Sequence, residues 1–403
     1  MADQTWLQLS VDDPFGVQTL PYGVIDPGSG PQPAVRIGER ALPLRPATEA
    51  LLPEHAALFD AGSLDAFLAA GPDTWAAVRS AATGWLTDPQ YRSVIEPLLL
   101  PLAGCRAVLP FTVADYVDFY ASEQHASNVG QIFRPGSPPL TPNWKHLPIG
   151  YHGRAGTVVV SGTDVRRPNG QRKVGEAVEF GRCLRLDIEA EVGYVVGVGA
   201  DRPVPVSGFE QHVFGIVLVN DWSARDIQAW EYVPLGPFLG KSFATSVSAW
   251  ITPLAALGSA RVPPVARDPK PLPYLDDTAA DWNLDLQLEV RLNGELISRP
   301  PYASMYWSPP QMLAHLTVNG ATLRTGDLYA SGTVSGTEPD QRGSLLELSW
   351  GGAEPLTLSD GATRTFLEDG DQVNITATAP GPEGTRVGIA EVSGTIRPAT
   401  PTG

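Results

Sequence analysis

Alternating apolar and polar residues predict strands in the second half of the chain. The apolar positions of one such stretch are Leu284, Leu286, Leu288, Val290 and Leu292. Every second side chain of a strand points to the same face, so this stretch predicts a half-buried strand. It runs into Asn293-Gly294, a dipeptide typical of a tight hairpin turn. Residues 373–377 alternate in the same way, and residues 184–189 predict a half-exposed strand.

The first hundred residues show two other patterns. Residues 5–45 hold short apolar clusters broken by Pro and Gly, which predicts a small antiparallel sheet. Residues 46–100 are rich in Ala and Leu, with apolar residues at helical spacing such as Trp75, Val78 and Ala82. This second part therefore predicts helices.

Composition favours more than one domain and many turns. The chain has 403 residues, including 41 glycines and 39 prolines, and 43% of its residues are hydrophobic. This length suggests two or three domains, and Gly and Pro spread along it are typical of a β-rich protein. Pro101 and Pro110 mark a boundary. We predict a mixed, β-rich fold with an N-terminal domain at residues 1–112 and a second domain at residues 113–403.

Charge and cysteine content limit the partners and the compartment. A net charge of −16 argues against nucleic acid, because phosphate binding needs a basic face. Two cysteines cannot form a disulfide framework in a chain of this size, which suggests a reducing compartment. The N-terminus resembles no secretory signal, and the apolar run at residues 213–219 is too short to span a bilayer. We expect a cytoplasmic protein that binds neither nucleic acid nor membrane.

Four acids form a candidate cation site. Glu189 and Glu191 lie two residues apart on a predicted strand, so both side chains project from one face. Asp221 follows an apolar strand predicted at residues 212–220, and Asp118 lies upstream of a histidine. A lone Glu-x-Glu pair is more often a pair of solvated acids, and the spacing leaves open whether all four meet. If they do, carboxylates suit calcium or magnesium better than zinc.

Several contiguous stretches carry a recognisable pattern. They are residues 118–130, 151–155, 220–243, 330–333 and 345–350. The longest reads NDWSARDIQ from Asn220 and continues as WEYVPLGPFLGKSF from Trp230. These stretches resemble the fumarylacetoacetate hydrolase family over nearly the whole chain, although residues 30–105 match weakly.

The resemblance implies a fold, a reaction and an assembly. The fold would be a small SH3-like N-terminal domain followed by a C-terminal β-roll, assembled as a homodimer. The reaction would be hydrolysis of a carbon–carbon bond in a small diketo acid, 4-fumarylacetoacetate, to fumarate and acetoacetate. This is the last step of tyrosine and phenylalanine degradation. The cofactors would be a catalytic Ca²⁺ and an adjacent Mg²⁺, with Mn²⁺ as a possible substitute.

The resemblance also assigns roles to individual residues. The catalytic cation would be held by Asp118, Glu189, Glu191 and Asp221. The second cation is associated with Asp221, Lys241 and Thr245, where a protonated lysine would contribute only its backbone oxygen. The catalytic groups would be His125, Glu347, Arg225, Gln228 and Lys241. The substrate would contact Tyr120, Arg134, Tyr151, Gln228, Tyr232 and Thr333.

The chemistry of these residue types fits the implied reaction. The imidazole of His125 suits a general base, and Glu347 would orient it. Arg134 would bind a substrate carboxylate through a bidentate contact. Two alternatives stay open. One is a relative that decarboxylates or hydrates another oxo-acid, and the other is a calcium-binding structural module. A purely structural calcium site would need neither His125 nor Lys241.

Overall fold

The structure is a computed structural model that describes residues 5–10, 12–278 and 282–401. The N-terminal strands are β1 (Tyr22–Asp26), β2 (Gln32–Ile37), β3 (Arg40–Pro43), β4 (Leu100–Pro101) and β5 (Arg106–Val108). The next strands are β6 (Asp115–Phe119), β7 (Gly150–His152), β8 (Val158–Val160), β9 (Val165–Arg166), β10 (Asn169–Val174), β11 (Ala177–Arg182), β12 (Leu186–Asp187), β13 (Ala190–Val196), β14 (Val213–Asp221), β15 (Ser223–Ala224), β16 (Thr245–Val247) and β17 (Trp250–Pro253). The last strands are β18 (Arg261–Val262), β19 (Asn283–Leu284), β20 (Gln287–Leu292), β21 (Glu295–Ser298), β22 (Asp327–Ala330), β23 (Leu356–Thr357), β24 (Thr363–Arg364), β25 (Gln372–Pro380) and β26 (Arg386–Arg397).

The α-helices are short and lie between the strands. They are α1 (Leu44–Leu51), α2 (Asp65–Ala69), α3 (Pro72–Thr87), α4 (Arg92–Ile95), α5 (Glu123–Phe133), α6 (Phe209–His212), α7 (Arg225–Glu231), α8 (Pro309–Thr317) and α9 (Leu345–Leu348). The prediction of a mixed, β-rich fold is confirmed. No helix of the described residues has the length and apolar character that crossing a membrane requires.

One large sheet runs through most of the molecule. Its main strand order is β4-β3-β2-β1-β17-β14-β13-β22-β6-β7, with β5, β16 and β8 paired at its sides. The predicted N-terminal antiparallel sheet is present, since β1 pairs antiparallel with β2 and β2 with β3. In addition, β1 pairs with β17, so the N-terminal strands continue into the sheet of the later chain. The SH3-like description and the division at residues 112 and 113 stay predictions.

Aromatic packing ties the N-terminal helices to the same sheet. The ring of Phe67 on α2 stacks on Tyr22 of β1, and the ring of Phe214 on β14 meets both edge-on. Trp75 on α3 also packs edge-on against Phe214. The helical pattern predicted for residues 46–100 is confirmed, and its apolar face packs on the central strand β14. That strand is buried along its whole length, as predicted, and it ends at Asp221.

A second sheet, ordered β21-β20-β25-β26-β9, contains the alternating stretches. Its strand β20 buries Leu288, Val290 and Leu292. Asn293 and Gly294 have φ values of 53° and 85°, so β20 turns directly into β21. Both residues tolerate positive φ, and the predicted hairpin is confirmed. The alternation in β25 is also confirmed.

The prediction for residues 184–189 was wrong. Only Leu186 and Asp187 form a strand, β12, which pairs with β15. Leu184 is exposed, whereas Asp187, which the alternation placed on the polar face, is completely buried. Tertiary partners of the Asp187 carboxylate, described below, explain this burial.

Candidate active site

Strand ends bring the four predicted acids together. Asp118 lies near the end of β6, Glu189 just before β13, Glu191 on β13, and Asp221 at the end of β14. The strands β14 and β13 are neighbours, and only β22 separates β13 from β6. All four side chains are buried, and one carboxylate oxygen from each lies within 4.8 Å of the others. Sequence spacing alone left this convergence open.

Three carboxylate oxygens of this cluster have no hydrogen-bond partner among the described residues. They are the two carboxylate oxygens of Glu191 and the Oδ1 atom of Asp118. Burial, followed by repulsion from Asp118, raises the pKa of Glu191 well above its ordinary value. Burial and then Asp221 do the same to the pKa of Asp118. Unpaired buried carboxylates are costly, so these four residues fit a divalent cation with oxygen ligands.

Lys241 and Arg225 neutralise the other side of the acid cluster. The ammonium of Lys241 binds both Glu189 and Asp221, with its Nζ 2.8 Å from Asp221 Oδ2. The guanidinium Nη2 of Arg225 lies 2.8 Å from Glu189 Oε1. Burial alone would raise the pKa of Glu189, but Lys241 and Arg225 outweigh it and hold that pKa below its usual range. The positive charges of Lys241 and Arg225 therefore favour the ionised form of Glu189.

Two hydroxyl groups orient Asp221. The hydroxyl of Tyr151 on β7 donates to Asp221 Oδ2 at 2.7 Å, and Thr245 on β16 donates to Oδ1 at 3.1 Å. Burial and then the charge of Asp118 raise the pKa of Tyr151 well above its usual value, so its phenol keeps its proton. The predicted residues Tyr151, Thr245 and Lys241 thus all surround one carboxylate.

A buried histidine–glutamate pair faces this cluster. Ser122 is the N-cap of helix α5, and its hydroxyl oxygen accepts a hydrogen bond from the backbone N–H of His125. His125 Nδ1 lies 2.7 Å from Glu347 Oε2, and its Nε2 lies 3.7 Å from Glu189 Oε1. Burial would raise the pKa of Glu347, but the electrostatic interaction with His125 and several hydrogen bonds lower it below its ordinary value. The other donors to this carboxylate are Asn128, Ser335 and Ser344.

Asp187 links the arginine to the glutamate, and sequence reasoning missed it. Its carboxylate accepts from Arg225 Nε at 2.8 Å. It also accepts from the backbone N–H groups of Leu345 at 2.7 Å and Leu346 at 3.0 Å, which begin α9, the helix that carries Glu347. No local signal marks this role, because the three partners come from segments distant in the chain.

A cavity of about 320 Å³ opens onto these groups. Nine of the predicted site residues line it: Asp118, Tyr120, His125, Tyr151, Glu189, Arg225, Gln228, Lys241 and Thr333. Val129, Phe133, Leu235 and Pro237 add apolar lining. Charged donors with apolar walls suit a small anionic molecule.

Six predicted residues do not line this cavity. Four of them lie behind the residues that line it, at the positions described above: Glu191, Asp221, Thr245 and Glu347. Arg134 follows α5 with its guanidinium bound to the carbonyl of Pro139 at 3.1 Å. Tyr232 lies on an exposed loop after α7. The substrate contacts of Arg134 and Tyr232 therefore stay predictions.

Family models and curated relatives match nearly the whole chain. A model described as fumarylacetoacetate hydrolase C-terminal matches residues 115–393, and one described as fumarylacetoacetase N-terminal matches residues 18–110. The fumarylacetoacetases of Mus musculus and Homo sapiens are each 44% identical to this chain over 416 residues, covering 98% of it and 99% of the relative. The fumarylacetoacetase of Arabidopsis thaliana is 42% identical over 425 residues, with 99% of each covered.

Solved structures share the fold at low sequence identity. A fumarylacetoacetate hydrolase from Exiguobacterium antarcticum has a TM-score of 0.57 at 15% identity, covering 94% of this chain and 99% of its own. A maleylpyruvate hydrolase from Sphingobium has a TM-score of 0.53 at 15% identity, covering 94% and 100%. At this identity the likeness concerns the fold alone.

Proposed function

We propose that this chain, which belongs to the fumarylacetoacetate hydrolase family, hydrolyses 4-fumarylacetoacetate to fumarate and acetoacetate, the last step of tyrosine and phenylalanine degradation. The observation that carries the proposal is the buried His125–Glu347 pair, whose free ring nitrogen faces the acid cluster across one cavity. Full-length relatives named fumarylacetoacetase support the choice of substrate.

The acid cluster would hold a divalent cation. Asp118, Glu189, Glu191 and Asp221 are the ligands, and we assign Ca²⁺ to this site, with Mn²⁺ as a substitute. When bound, the cation supplies Lewis-acid polarisation of the two diketone oxygens and a template for them. A second cation, Mg²⁺, belongs beside Asp221 and Thr245. The ammonium of Lys241 has no lone pair, so only its backbone oxygen would serve as a ligand there.

His125 acts as the general base. Glu347 accepts the hydrogen bond from Nδ1–H, which leaves Nε2 free to take a proton from water. The water oxygen bonds to the ketone carbon, and Arg225, Gln228 and Lys241 donate to the oxygen that becomes negative. Donors aimed at such a developing charge contribute about 3–4 kcal/mol each. The carbon–carbon bond then breaks, and its electron pair stays on the acetoacetate carbon. This carbon takes up one proton, and the proton that His125 removed from water accounts for it.

The remaining predicted residues would bind the substrate. Tyr120, Tyr151 and Thr333 line the cavity, and the hydroxyl of Thr333 has no partner among the described residues. Arg134 would turn its exposed guanidinium toward a substrate carboxylate, and Tyr232 would approach from the loop after α7. Both side chains are exposed enough to move without disrupting the core.

The decisive experiment follows the diketone absorbance. The absorbance should decay when purified protein is mixed with fumarylacetoacetate. Both chelation of the cation and the substitution His125→Ala should stop this decay. Activity on another oxo-acid with none on fumarylacetoacetate would favour a related hydrolase or decarboxylase. A cation-loaded protein inactive on both would favour a structural calcium module.

The chain would act as a homodimer in the cytoplasm. The β10–β11 hairpin exposes Val178 and Phe180, and it packs against α7. An apolar surface of this kind suits a second copy of the chain. The thiols of Cys105 and Cys183 are both free, which suits a reducing compartment. Sedimentation velocity should give a particle with twice the mass of one chain. The Phe180→Glu variant should give a particle with the mass of a single chain.

A further inference from the structure

The loop after α7 lines the cavity and leads into Lys241. It spans residues 232–240, and Leu235, Gly236 and Pro237 line the cavity. Lys241 follows directly, with its ammonium on Glu189 and Asp221. The loop therefore leads directly into the residue that carries this ammonium. Leu235 is 97% exposed, so core packing does not hold the middle of the loop.

One carboxylate holds the returning end of this loop. Glu231, the last residue of α7, accepts hydrogen bonds from three successive backbone N–H groups. The distances are 2.9 Å from Phe238 N to Oε1, 3.0 Å from Leu239 N to Oε2 and 2.7 Å from Gly240 N to Oε1. Successive N–H groups that point to one place form a good anion site, and here the anion is a side chain of the protein.

Helix stability does not explain an acid at this position. A negative charge at the C-terminal end of a helix is unfavourable, because the helix dipole is negative there. The close contact of the loop backbone with α7 points instead to a role of Glu231 in holding the loop. A Cβ at Gly240 would lie 2.9 Å from Gln228 Cβ and 3.0 Å from the carbonyl oxygen of Ala224. The loop thus presses its backbone on α7, immediately before Lys241.

We propose that Glu231 is a positioning residue that fixes loop 232–240 on α7 and thereby sets the place of the Lys241 ammonium in the active site. The inference rests on the proposed function, because the ammonium matters only if the site turns over a substrate. Helix α7 then carries three functional side chains at a spacing of three residues: Arg225, Gln228 and Glu231. The first two contact the site, and the third acts through the loop.

The test compares Glu231→Gln with Glu54→Gln, a change at an exposed acid in the N-terminal region. Glutamine has the same side-chain length, but its NH₂ group cannot accept a hydrogen bond from a backbone N–H. We expect faster amide exchange at residues 238–240 and a kcat lowered roughly 10- to 100-fold, since misplacement by about 1 Å has costs of this size. KM should change less than kcat, and Glu231→Asp should restore part of the activity. Glu54→Gln should match the wild type.

Each contrary outcome has its own meaning. Unchanged amide exchange in Glu231→Gln would overturn the inference, and so would faster exchange with an unchanged kcat. An inactive wild type would overturn the proposed function and the role of Lys241 with it. In that case amide exchange alone still decides whether Glu231 holds the loop.

Discussion

Glu191 and Glu347 are both buried acids, but their surroundings give them opposite properties. Glu347 receives hydrogen bonds from His125 and three further side chains, and its pKa lies below its ordinary value. Glu191 receives none from the described residues, and burial raises its pKa. The first arrangement stabilises a charge in the protein alone, whereas the second needs a cation.

Replacing Glu347 by glutamine should slow the reaction without weakening substrate binding. A neutral amide holds the imidazole poorly and does not stabilise its protonated form. We expect kcat to fall by about 100-fold with little change in KM, the size typical of general-base catalysis. Steady-state kinetics measure both constants. Glu354→Gln changes an exposed acid nearby and serves as the control. A kcat equal to that of the wild type would contradict the role of Glu347.

Glu191→Gln should stabilise the cation-free protein in a pH-dependent way. Because the pKa of Glu191 is raised in the folded state, the wild type loses stability as pH rises above the unfolded pKa, about 4.3. With chelator, the variant should therefore melt above the wild type at pH 8, and the difference should shrink toward pH 5. Thermal unfolding at both values checks this. Added Ca²⁺ should then stabilise the wild type more than the variant. Identical melting at pH 8 in chelator would argue against an unpaired buried charge.

Elements of the second sheet were the most predictable part of the fold. The alternation in β20 and β25 and the turn at Asn293-Gly294 are local signals. The strands predicted from these signals are also the ones that bury every second side chain in the structure. The short strand β12 gave the opposite result. Its Asp187 looked like a solvent-facing residue, yet the start of α9 and Arg225 hold it in the interior. Local alternation carries no information about such distant partners.

Asp371 should stabilise the joint between the turn at Asn293 and strand β25. Its carboxylate accepts from Asn293 Nδ2 at 2.9 Å, from Arg364 Nε at 3.0 Å and from Glu368 N at 2.7 Å. Asp371→Asn should lower the free energy of unfolding by about 2 kcal/mol at pH 7. Denaturant unfolding measures this change, and the exposed Asp201 offers a control as Asp201→Asn.

The pH dependence of that effect has a definite sign. Burial would raise the pKa of Asp371, but Arg364 and Asn293 outweigh it, so the pKa is lowered. The stabilisation is therefore present above the unfolded pKa, about 3.9, and is lost as pH falls through the folded value. The difference between wild type and variant should decrease below pH 4. A difference that grew in acid would contradict the ion pair.

The whole molecule is joined by its large sheet. Strand β1 pairs with β17, and the helices of the N-terminal part pack on Phe214 of β14, the strand that ends at Asp221. The N-terminal part thus supports the strand that presents a site acid. None of its described residues lines the cavity itself.

Unfolding should therefore be a single transition. Calorimetry of the full chain should show one peak, because β1 pairs with β17 and the N-terminal strands continue into the sheet of the rest of the chain. Phe214→Ala should move that one peak down and lower the free energy of unfolding by about 3–5 kcal/mol. Two resolved peaks, with only one moved by this substitution, would show that the two parts unfold independently.

The sequence by itself determined the family, the β-rich class and the buried strand β14, and it supplied the residues that we predict for the site. These follow from local patterns and long contiguous motifs, which need no knowledge of distant contacts. Only the tertiary structure decided that the four acids meet within 4.8 Å, and that neither oxygen of Glu191 has a hydrogen-bond partner among the described residues. It also decided that Asp187 binds Arg225 and that Glu231 binds the backbone of the loop after α7. Convergence depends on strand order and register, which bring together residues far apart in the chain, and no local spacing specifies them.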